Sequence, residues 1–159
     1  MVIKIPAKPV DKMTFDFEAE AEQFLPQYVK PDSLIRIKGE LDKIDGGWKA
    51  TGSIKYGFEY KCDLCTKQSK YSKTVNFDEV YLINNKEDQY HFDGIEIDLT
   101  QLAIDAIVLD LPSRLLCKPG CQGLCPVCGA DKNKNQCGCK ADGIRNNPFD
   151  ILKDIGGEK

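Results

Sequence analysis

The sequence has a single histidine and no apolar run long enough to cross a membrane. A membrane-spanning helix needs about 20 mostly apolar residues, and the opening MVIKIPAKPV contains no apolar core of signal-peptide length. We therefore expect a cytoplasmic protein with no membrane partner. Catalytic zinc sites usually include histidine or carboxylate ligands and an open position. Because His91 lies far along the chain from every cysteine, we expect it to be a loop residue rather than a ligand.

Residue patterns typical of catalysis are also missing. We find no paired carboxylates, no nucleophile beside a base and no glycine-rich loop that could hold a phosphate. We therefore expect neither an enzyme nor a small-molecule substrate. The net charge is −3. A protein-wide positive field is thus absent, and any contact with nucleic acid would need a local basic patch.

The composition is that of an ordinary globular protein. The chain has 159 residues, of which 42% are hydrophobic and 30% charged, and this length gives room for one domain with a small appended module. We expect a strand-rich α+β domain at residues 1–115 and a cysteine-rich zinc module packed on it at 116–145. A short C-terminal helix and tail should occupy residues 146–159.

Alternation of apolar and polar residues dominates the first half of the chain and predicts an antiparallel sheet. It runs through three segments, with a DGG turn signal between the first two. The predicted strands are residues 33–44, 48–58 and 70–84. We expect a strand near residues 2–5 to join this sheet, and residues 15–28 to contain a short helix.

The second half predicts one central helix. A short strand at residues 95–98 should precede a helix that begins near Asp98 or Thr100, ends near Leu109 and is stopped by Pro112. Its core side should consist of Leu102, Ala103, Ala106 and Ile107.

Two further segments complete the secondary-structure prediction. Residues 87–94 should form a polar loop. The terminal NNPFDILKDI predicts a short helix with an apolar stripe of Phe149, Leu152 and Ile155. The expected fold class is α+β, with an antiparallel, curved or barrel-like sheet, one central helix and a C-terminal zinc-ribbon-like module.

All eight cysteines fall into two clusters. Cys62 and Cys65 lie at a predicted strand tip, and the other six lie within residues 117–139. The two-residue gap in CDLC and CPVC is typical of a metal knuckle, because a tight turn directs both sulfurs at one ion. Gly129 follows the second knuckle, where a positive φ is often needed, whereas the first knuckle lacks such a glycine.

The spacing indicates two groups of four ligands. A structural zinc ion takes four soft ligands in a closed shell, and a complete local set is available in Cys125, Cys128, Cys137 and Cys139. By subtraction, a second set would join the strand tip to the segment after the helix: Cys62, Cys65, Cys117 and Cys121. The expected cofactor is one or two zinc ions, each held by four cysteines.

Two other interpretations of the cysteines remain open. A disulfide or redox system would need an oxidising compartment or a thioredoxin-like strand–helix context. An iron–sulfur cluster would also use cysteine thiolates, but these spacings do not match the familiar ferredoxin runs.

Basic residues surround the cysteines and give two alternatives for function. The only acids between positions 114 and 145 are Asp131 and Asp142. The lysines could balance the negative charge of the zinc–thiolate units, or they could form a modest surface for RNA phosphates. Interleaved aromatic residues, which would favour base stacking, are absent. The candidate nucleic-acid-binding residues are Arg114, Lys118, Lys132, Lys134, Lys140 and Arg145.

Four segments together resemble the bacterial YceD family, also called large ribosomal RNA subunit accumulation proteins. They are KCDLCTK, GIEIDLTQLAIDAIVLDLPSRLLC, CQGLCPVCGADKNKNQCGC and NPFDILKDI. The resemblance implies a non-enzymatic factor that supports ribosomal RNA accumulation and ribosome assembly. It also implies binding of metal and nucleic acid, with ribosomal RNA or a pre-ribosomal particle as the partner. The alternative is a zinc-stabilised protein-interaction adaptor without direct RNA binding, which could dock a protein partner on its terminal apolar stripe.

Overall fold

The computed structural model describes residues 1–83 and 90–139, and its largest element is an antiparallel meander of three long strands. These strands are β4 (Ile35–Ile44), β5 (Gly47–Lys61) and β6 (Gln68–Ile83). The predicted alternation is confirmed, because the apolar side chains of β4 and β5 point into the core. A two-residue turn at positions 45–46 joins β4 to β5, and Gly46 there has a φ of 76°.

Shorter strands extend this sheet at its sides. On one side β2 (Lys12–Ala19) pairs with β4, and on the other β7 (His91–Phe92) runs parallel to β6. The two-residue β3 (Lys30–Pro31) pairs with β5. Among the described strands, every pairing in this sheet is antiparallel except that of β7 with β6. The strand order β2-β4-β5-β6-β7 is open, so the sheet is not closed into a barrel and the barrel-like alternative is wrong.

A row of aromatic residues and glycines crosses the sheet. Phe15, Gly39, Gly52 and Phe77 occupy paired positions on four neighbouring strands. A Cβ at Gly39 would lie 2.9 Å from the ring of Phe15, and one at Gly52 would lie 2.7 Å from the ring of Phe77. The two phenylalanine rings therefore cover the two glycines, and only glycine fits at these two positions.

One local prediction in the N-terminal region is wrong, and another holds only in part. β1 (Val2–Lys4) does not join the meander but pairs with β8 (Glu96–Asp98) in a separate two-stranded sheet. Residues 15–28 do not form an α-helix, because their first part belongs to β2 and only a 3-10 turn (Ala21–Gln23) follows. Phe15 is buried there and Phe17 packs against the core, so alternation prevails over the helix-favouring Glu and Ala content.

The predicted loop at residues 87–94 is partly wrong. Residues 91–92 form β7, and residues 84–89 lie outside the described part of the chain. The predicted strand at residues 95–98 is confirmed as β8. The predicted terminal helix at 146–155, with its apolar stripe, also lies outside the described residues.

The central helix α1 (Thr100–Asp110) is confirmed and anchors the segment that follows it. Leu102, Ala103 and Ile107 are buried. At the end of the helix, the Asp110 carboxylate accepts hydrogen bonds from the Tyr56 hydroxyl at 2.7 Å and from the Lys73 ammonium group at 2.5 Å. These bonds fix the helix end to β5 and β6, so the chain continues towards the tip of that strand pair. Within the described residues, no helix has the length and apolar content needed to cross a membrane.

Candidate metal centres

The structure brings the cysteines together in the two groups of four that the spacing predicts. Within each group, all four sulfurs lie within 4.8 Å of one another. Centre 1 consists of Cys62, Cys65, Cys117 and Cys121. Centre 2 consists of Cys125, Cys128, Cys137 and Cys139.

Centre 1 joins the tip of the β5–β6 hairpin to the segment after α1. The N–H of Asp63 donates to the Leu115 carbonyl at 2.9 Å, and the Asp63 carboxylate accepts the Leu115 N–H at 2.7 Å. The Tyr60 hydroxyl donates to the Leu116 carbonyl at 2.8 Å. These three bonds hold the two segments side by side, and the cysteines of both then face one point.

The sulfur spacing in centre 1 fits one tetrahedral ion. Sulfurs at about 2.3 Å from a central ion lie about 3.8 Å apart. The observed separations are 3.8 Å for Cys62–Cys121, 3.5 Å for Cys65–Cys117 and 3.7 Å for Cys117–Cys121. An S–S bond would require about 2.05 Å. An iron–sulfur cluster carries sulfide between its irons and holds its cysteines further apart, so this geometry favours a single ion.

The two knuckles have the same backbone structure. In each, the N–H of the first cysteine donates to the carbonyl five residues on, at 2.9 Å for Cys62 and 2.8 Å for Cys125. The N–H four residues on donates back to the carbonyl of that cysteine, at 2.9 Å from Thr66 and 2.8 Å from Gly129. The two CxxC segments are therefore structural copies of one another, although no sequence repeat is evident around them.

The residue after each knuckle has a positive φ, as the geometry requires. Gly129 has a φ of 73°, and Thr66 has a φ of 59°. Thr66 is the only described residue other than glycine in this conformation. A left-handed conformation costs a residue with a β-carbon about 1–2 kcal/mol. The first knuckle therefore adopts this turn with a threonine in place of glycine. The surrounding contacts offset the conformational free energy that this costs.

The two centres differ in burial. In centre 1, Cys62, Cys65 and Cys121 are buried, with Cys62 only 1% exposed. In centre 2, only Cys125 is buried, while Cys128 and Cys139 are exposed. Centre 2 is held locally by an isolated bridge between Leu124 and Asp131.

The loop of centre 2 also supports centre 1. The side-chain N–H of Asn133 donates to the Cys121 sulfur at 3.4 Å, and its side-chain oxygen accepts the Gln122 N–H at 2.9 Å. Hydrogen bonds of this kind orient metal ligands and tune their basicity. The sequence interpretation selected Lys132 and Lys134 from this loop and missed Asn133. An asparagine in a loop of this composition gives no local signal of such a role.

A close approach between the two knuckles links the centres further. The Leu124 N–H donates to the Leu64 carbonyl at 2.9 Å. Gly123 has a φ of 68°, and a Cβ there would lie 2.9 Å from the Leu64 oxygen. Gly123, two residues before Cys125 of centre 2, is thus needed for the close contact with the first knuckle.

In each centre the surroundings lower the pKa of one thiol and raise the pKa of two others. Burial would raise the pKa of Cys62, but the N–H groups of Cys117, Cys65 and Leu64 donate to its sulfur and lower the pKa to about 6. A hydrogen bond with Cys65 and burial raise the pKa of Cys117 to about 12. A cation entering centre 1 must therefore displace protons.

Centre 2 has the same asymmetry. The N–H groups of Cys128 and Val127 lower the pKa of Cys125 to about 6. A hydrogen bond with Cys128 raises the pKa of Cys139 to about 12. The first cysteine of each knuckle is therefore a thiol whose pKa is lowered by the N–H groups of the turn.

Four of the six predicted basic residues lie in the described part of the chain, and all four are exposed: Arg114, Lys118, Lys132 and Lys134. Lys140 and Arg145 lie outside it. Lys118 and Lys134 line a cleft of about 550 Å³ beside centre 1. Lys67, which the sequence interpretation did not select, lines the same cleft.

Fold and site together define an α+β protein with two four-cysteine groups suited to a metal ion. The family model described as large ribosomal RNA subunit accumulation protein YceD matches residues 50–156. This range includes both centres and more than half of the chain. The chain belongs to the YceD family.

Individual relatives match over shorter stretches. An uncharacterised protein of Mycobacterium tuberculosis is 58% identical over 105 residues, which are 61% of this chain and 51% of the relative. Two plant proteins are named large ribosomal RNA subunit accumulation protein YCED homolog 1, chloroplastic. The Arabidopsis thaliana protein is 36% identical over 55 residues, 33% of this chain and 17% of its own length. The Zea mays protein is 36% identical over 62 residues, which are 37% of this chain and 21% of the relative.

The chain spans about half the length of the mycobacterial relatives and a smaller share of the plant proteins. No solved structure matches it.

Proposed function

We propose that this protein is a non-enzymatic, zinc-binding factor that supports the accumulation of large-subunit ribosomal RNA and so ribosome assembly. The observation that carries the proposal is the match of the YceD family model over residues 50–156. Both plant relatives carry this function in their names. The matched range includes every cysteine of the two centres.

Zinc is the metal that best fits the donor set. Four thiolates around one ion with sulfur separations near 3.8 Å are typical of structural zinc. A shell of four protein ligands leaves no open position for a substrate or water, which supports a structural role. We propose two zinc ions per chain, one in each centre.

The proposed role of zinc is to attach the cysteine-rich module at residues 116–145 to the strand-rich domain at 1–115. Centre 1 takes two ligands from each side of this boundary. The module carries five of the six proposed RNA-contacting residues, of which Lys140 and Arg145 lie outside the described part of the chain. Metal binding would thus place basic residues against the sheet domain. The cytoplasmic location remains a prediction, as does the tail at residues 146–159.

The test is depletion of the protein in its own host, followed by measurement of large- and small-subunit ribosomal RNA. We expect the large-subunit RNA to fall relative to the small-subunit RNA, and wild-type protein to restore it. A Cys62→Ser variant should fail to restore it. Unchanged ribosomal RNA levels after depletion would contradict the proposal.

A protein-interaction adaptor is the second candidate, and one observation favours it. The middle of each knuckle exposes an apolar side chain, with Leu64 39% and Val127 54% exposed. If protein contact alone carries the function, a Leu64→Ser/Val127→Ser variant should lose rescue of the depleted cells while its zinc content and RNA affinity stay unchanged. Full rescue by this variant would contradict the adaptor.

A further inference from the structure

The cleft beside centre 1 brings together three lysines from three separate segments. Lys67 follows the first knuckle, Lys118 lies between Cys117 and Cys121, and Lys134 lies in the loop of centre 2. We propose that this cleft binds the phosphate backbone of single-stranded RNA, with the three ammonium groups as the contacting charges. The inference rests on the proposed function and deepens it, because it names the contact surface and the chemical group recognised.

The backbone at each lysine is fixed by the architecture of the centres. The Lys67 carbonyl accepts the Cys62 N–H at 2.9 Å, and the Lys118 carbonyl accepts the Cys121 N–H at 3.2 Å. The Lys134 N–H donates to the Asp131 carbonyl at 3.0 Å, inside the loop that also supports Cys121. Folding of centre 1 therefore places all three lysines around one cleft, which prepares them for an anion before it arrives.

The main alternative is that these lysines only balance the charge of the thiolates. A balance through direct contact would place their ammonium groups against sulfur or carboxylate oxygen, whereas a balance through solvated lysines would not. Within residues 1–83 and 90–139, none of the three makes such a hydrogen bond or ion pair. Lysines on the sheet behave differently: Lys70 and Lys73 bind carboxylates at 2.6 and 2.5 Å.

The one carboxylate that the described residues place at the cleft is already engaged. Asp131 accepts hydrogen bonds on Oδ1 from the Asn133 backbone N–H at 2.9 Å and from its side-chain N–H at 2.8 Å. These bonds lower the pKa of Asp131, with a smaller contribution from Lys134 and Lys118. The carboxylate is oriented by Asn133 rather than by a lysine, so the ammonium groups remain available to an external anion.

The lining indicates a phosphate rather than a base. Among the described residues, no aromatic side chain lines the cleft, and base stacking on aromatic rings is the usual way to hold an unpaired base. Lysine and hydroxyl groups are typical donors to phosphate and sugar oxygens, and Thr66 supplies a hydroxyl beside the three lysines. We therefore expect binding with little sequence preference and strong salt dependence.

The test compares two triple variants with the same change in net charge. The cleft variant is Lys67→Gln/Lys118→Gln/Lys134→Gln. The control variant, Lys38→Gln/Lys43→Gln/Lys55→Gln, removes three exposed lysines from the sheet domain. Binding of the zinc-loaded proteins to a fluorescent, mixed-sequence, single-stranded RNA oligonucleotide is measured by anisotropy over a series of salt concentrations. Zinc content and thermal unfolding are measured for each variant, to verify that the centres remain intact.

We expect the slope of log affinity against log salt to become shallower by about 2 in the cleft variant, since each phosphate contact contributes about 0.7 for single strands. The control variant should keep the slope of the wild-type protein. If both variants bind RNA with the wild-type slope, the cleft is not the RNA-binding surface. The proposed function would then use another surface of the protein. If zinc-loaded wild-type protein does not bind RNA at low salt, both the cleft and direct RNA contact are wrong, and action through a protein partner is favoured.

Discussion

The two metal centres use the same knuckle, but they are supported in different ways. Centre 1 draws its cysteines from distant parts of the chain, and three of the four are buried. Centre 2 draws its cysteines from residues 125–139 and exposes two of them. Since the local hydrogen bonds of the two knuckles match, the difference in stability between the centres should come from tertiary contacts and from the length of chain that each centre closes.

This difference suggests different roles for the centres. A centre that closes a long loop reduces the entropy of the unfolded chain more than one that closes a short loop. Centre 1 should therefore stabilise the whole fold, whereas centre 2 should order mainly its own loop. Through Asn133 and Gly123, that loop in turn supports centre 1. Four predictions, in order of decreasing effect, test this comparison.

Loss of a ligand should have the largest effect, and the two centres should respond differently. Cys65 and Cys117 are 52 positions apart, and by analogy with a disulfide a link of that span contributes about 4 kcal/mol. We expect Cys62→Ser to lower the free energy of unfolding of the sheet by about that amount. The measurement is a urea titration followed by the fluorescence of Trp48. This is the single tryptophan of the chain, and it is 4% exposed.

The matched variant for that prediction is Cys139→Ser in centre 2. It should shift the fluorescence transition of Trp48 by less than about 0.5 kcal/mol, because its effect stays within the module. Equal shifts for the two variants would show that the centres contribute equally and would remove the proposed distinction.

Breaking the contact between the knuckles should have the next largest effect. Gly123→Ala introduces a Cβ that would lie 2.9 Å from the Leu64 oxygen at a φ of 68°. We expect a loss of about 2–3 kcal/mol, of which about 1–2 kcal/mol is the cost of the left-handed backbone. The measurement is urea unfolding with release of zinc as the probe.

Gly120→Ala provides the control for the close approach. Gly120 has a φ of 71°, but a Cβ added there would have no other atom within 4 Å. This variant should therefore lose only the backbone cost. If the two alanine variants lose the same free energy, the contact with Leu64 does not join the centres.

Removing the asparagine donor should weaken metal binding at centre 1. Asn133→Asp keeps an oxygen that can accept the Gln122 N–H but replaces the group that donates to the Cys121 sulfur. Loss of such a partner typically lowers metal affinity about 10–100-fold. We expect this range in competition with a chelator, measured on a Cys139→Ser background so that centre 1 is read alone.

Asn135→Asp is the matched control for that change. Asn135 is exposed in the same loop, and the same substitution there adds the same charge. An equal decrease in affinity for the two variants would assign the effect to charge rather than to the Asn133 hydrogen bond.

The smallest expected effect is a gain in stability at the first knuckle. Thr66 has a φ of 59°, so Thr66→Gly removes left-handed strain of about 1–2 kcal/mol but increases the entropy of the unfolded chain by about 0.5–1 kcal/mol. We expect a net gain of about 0.5–1 kcal/mol, seen as an increase in Tm of about 2 °C. In the second knuckle, Gly129→Ala should lower the Tm instead. A decrease for Thr66→Gly would show that the threonine side chain stabilises the turn.

The local features of the fold could be predicted from the sequence. Alternation identified β4, β5 and β6, and the spacing of apolar residues identified α1. Cysteine spacing indicated both groups of four, because a CxxC pair is a local geometric unit and subtraction left one remaining set. These predictions rest on distances of a few residues along the chain, where sequence and geometry correspond closely.

The features that could not be predicted depend on contacts between distant residues. The pairing of β1 with β8 joins residues more than ninety positions apart, and no periodicity encodes such a partner. The same holds for Asn133 at Cys121 and for Gly123 beside Leu64. The positive φ of Thr66 was missed for another reason: threonine is not the residue that this conformation favours, and the metal-knuckle hydrogen bonds impose it.

The most direct test of the account is the metal content per chain, measured by elemental analysis of anaerobically purified protein together with thiol titration. The account predicts two zinc ions per chain, falling to one in Cys139→Ser while Trp48 still reports a folded sheet. Metal-free protein with eight reactive thiols that takes up no zinc on reconstitution would contradict it. Iron in place of zinc would keep the two centres but overturn the identity of the metal.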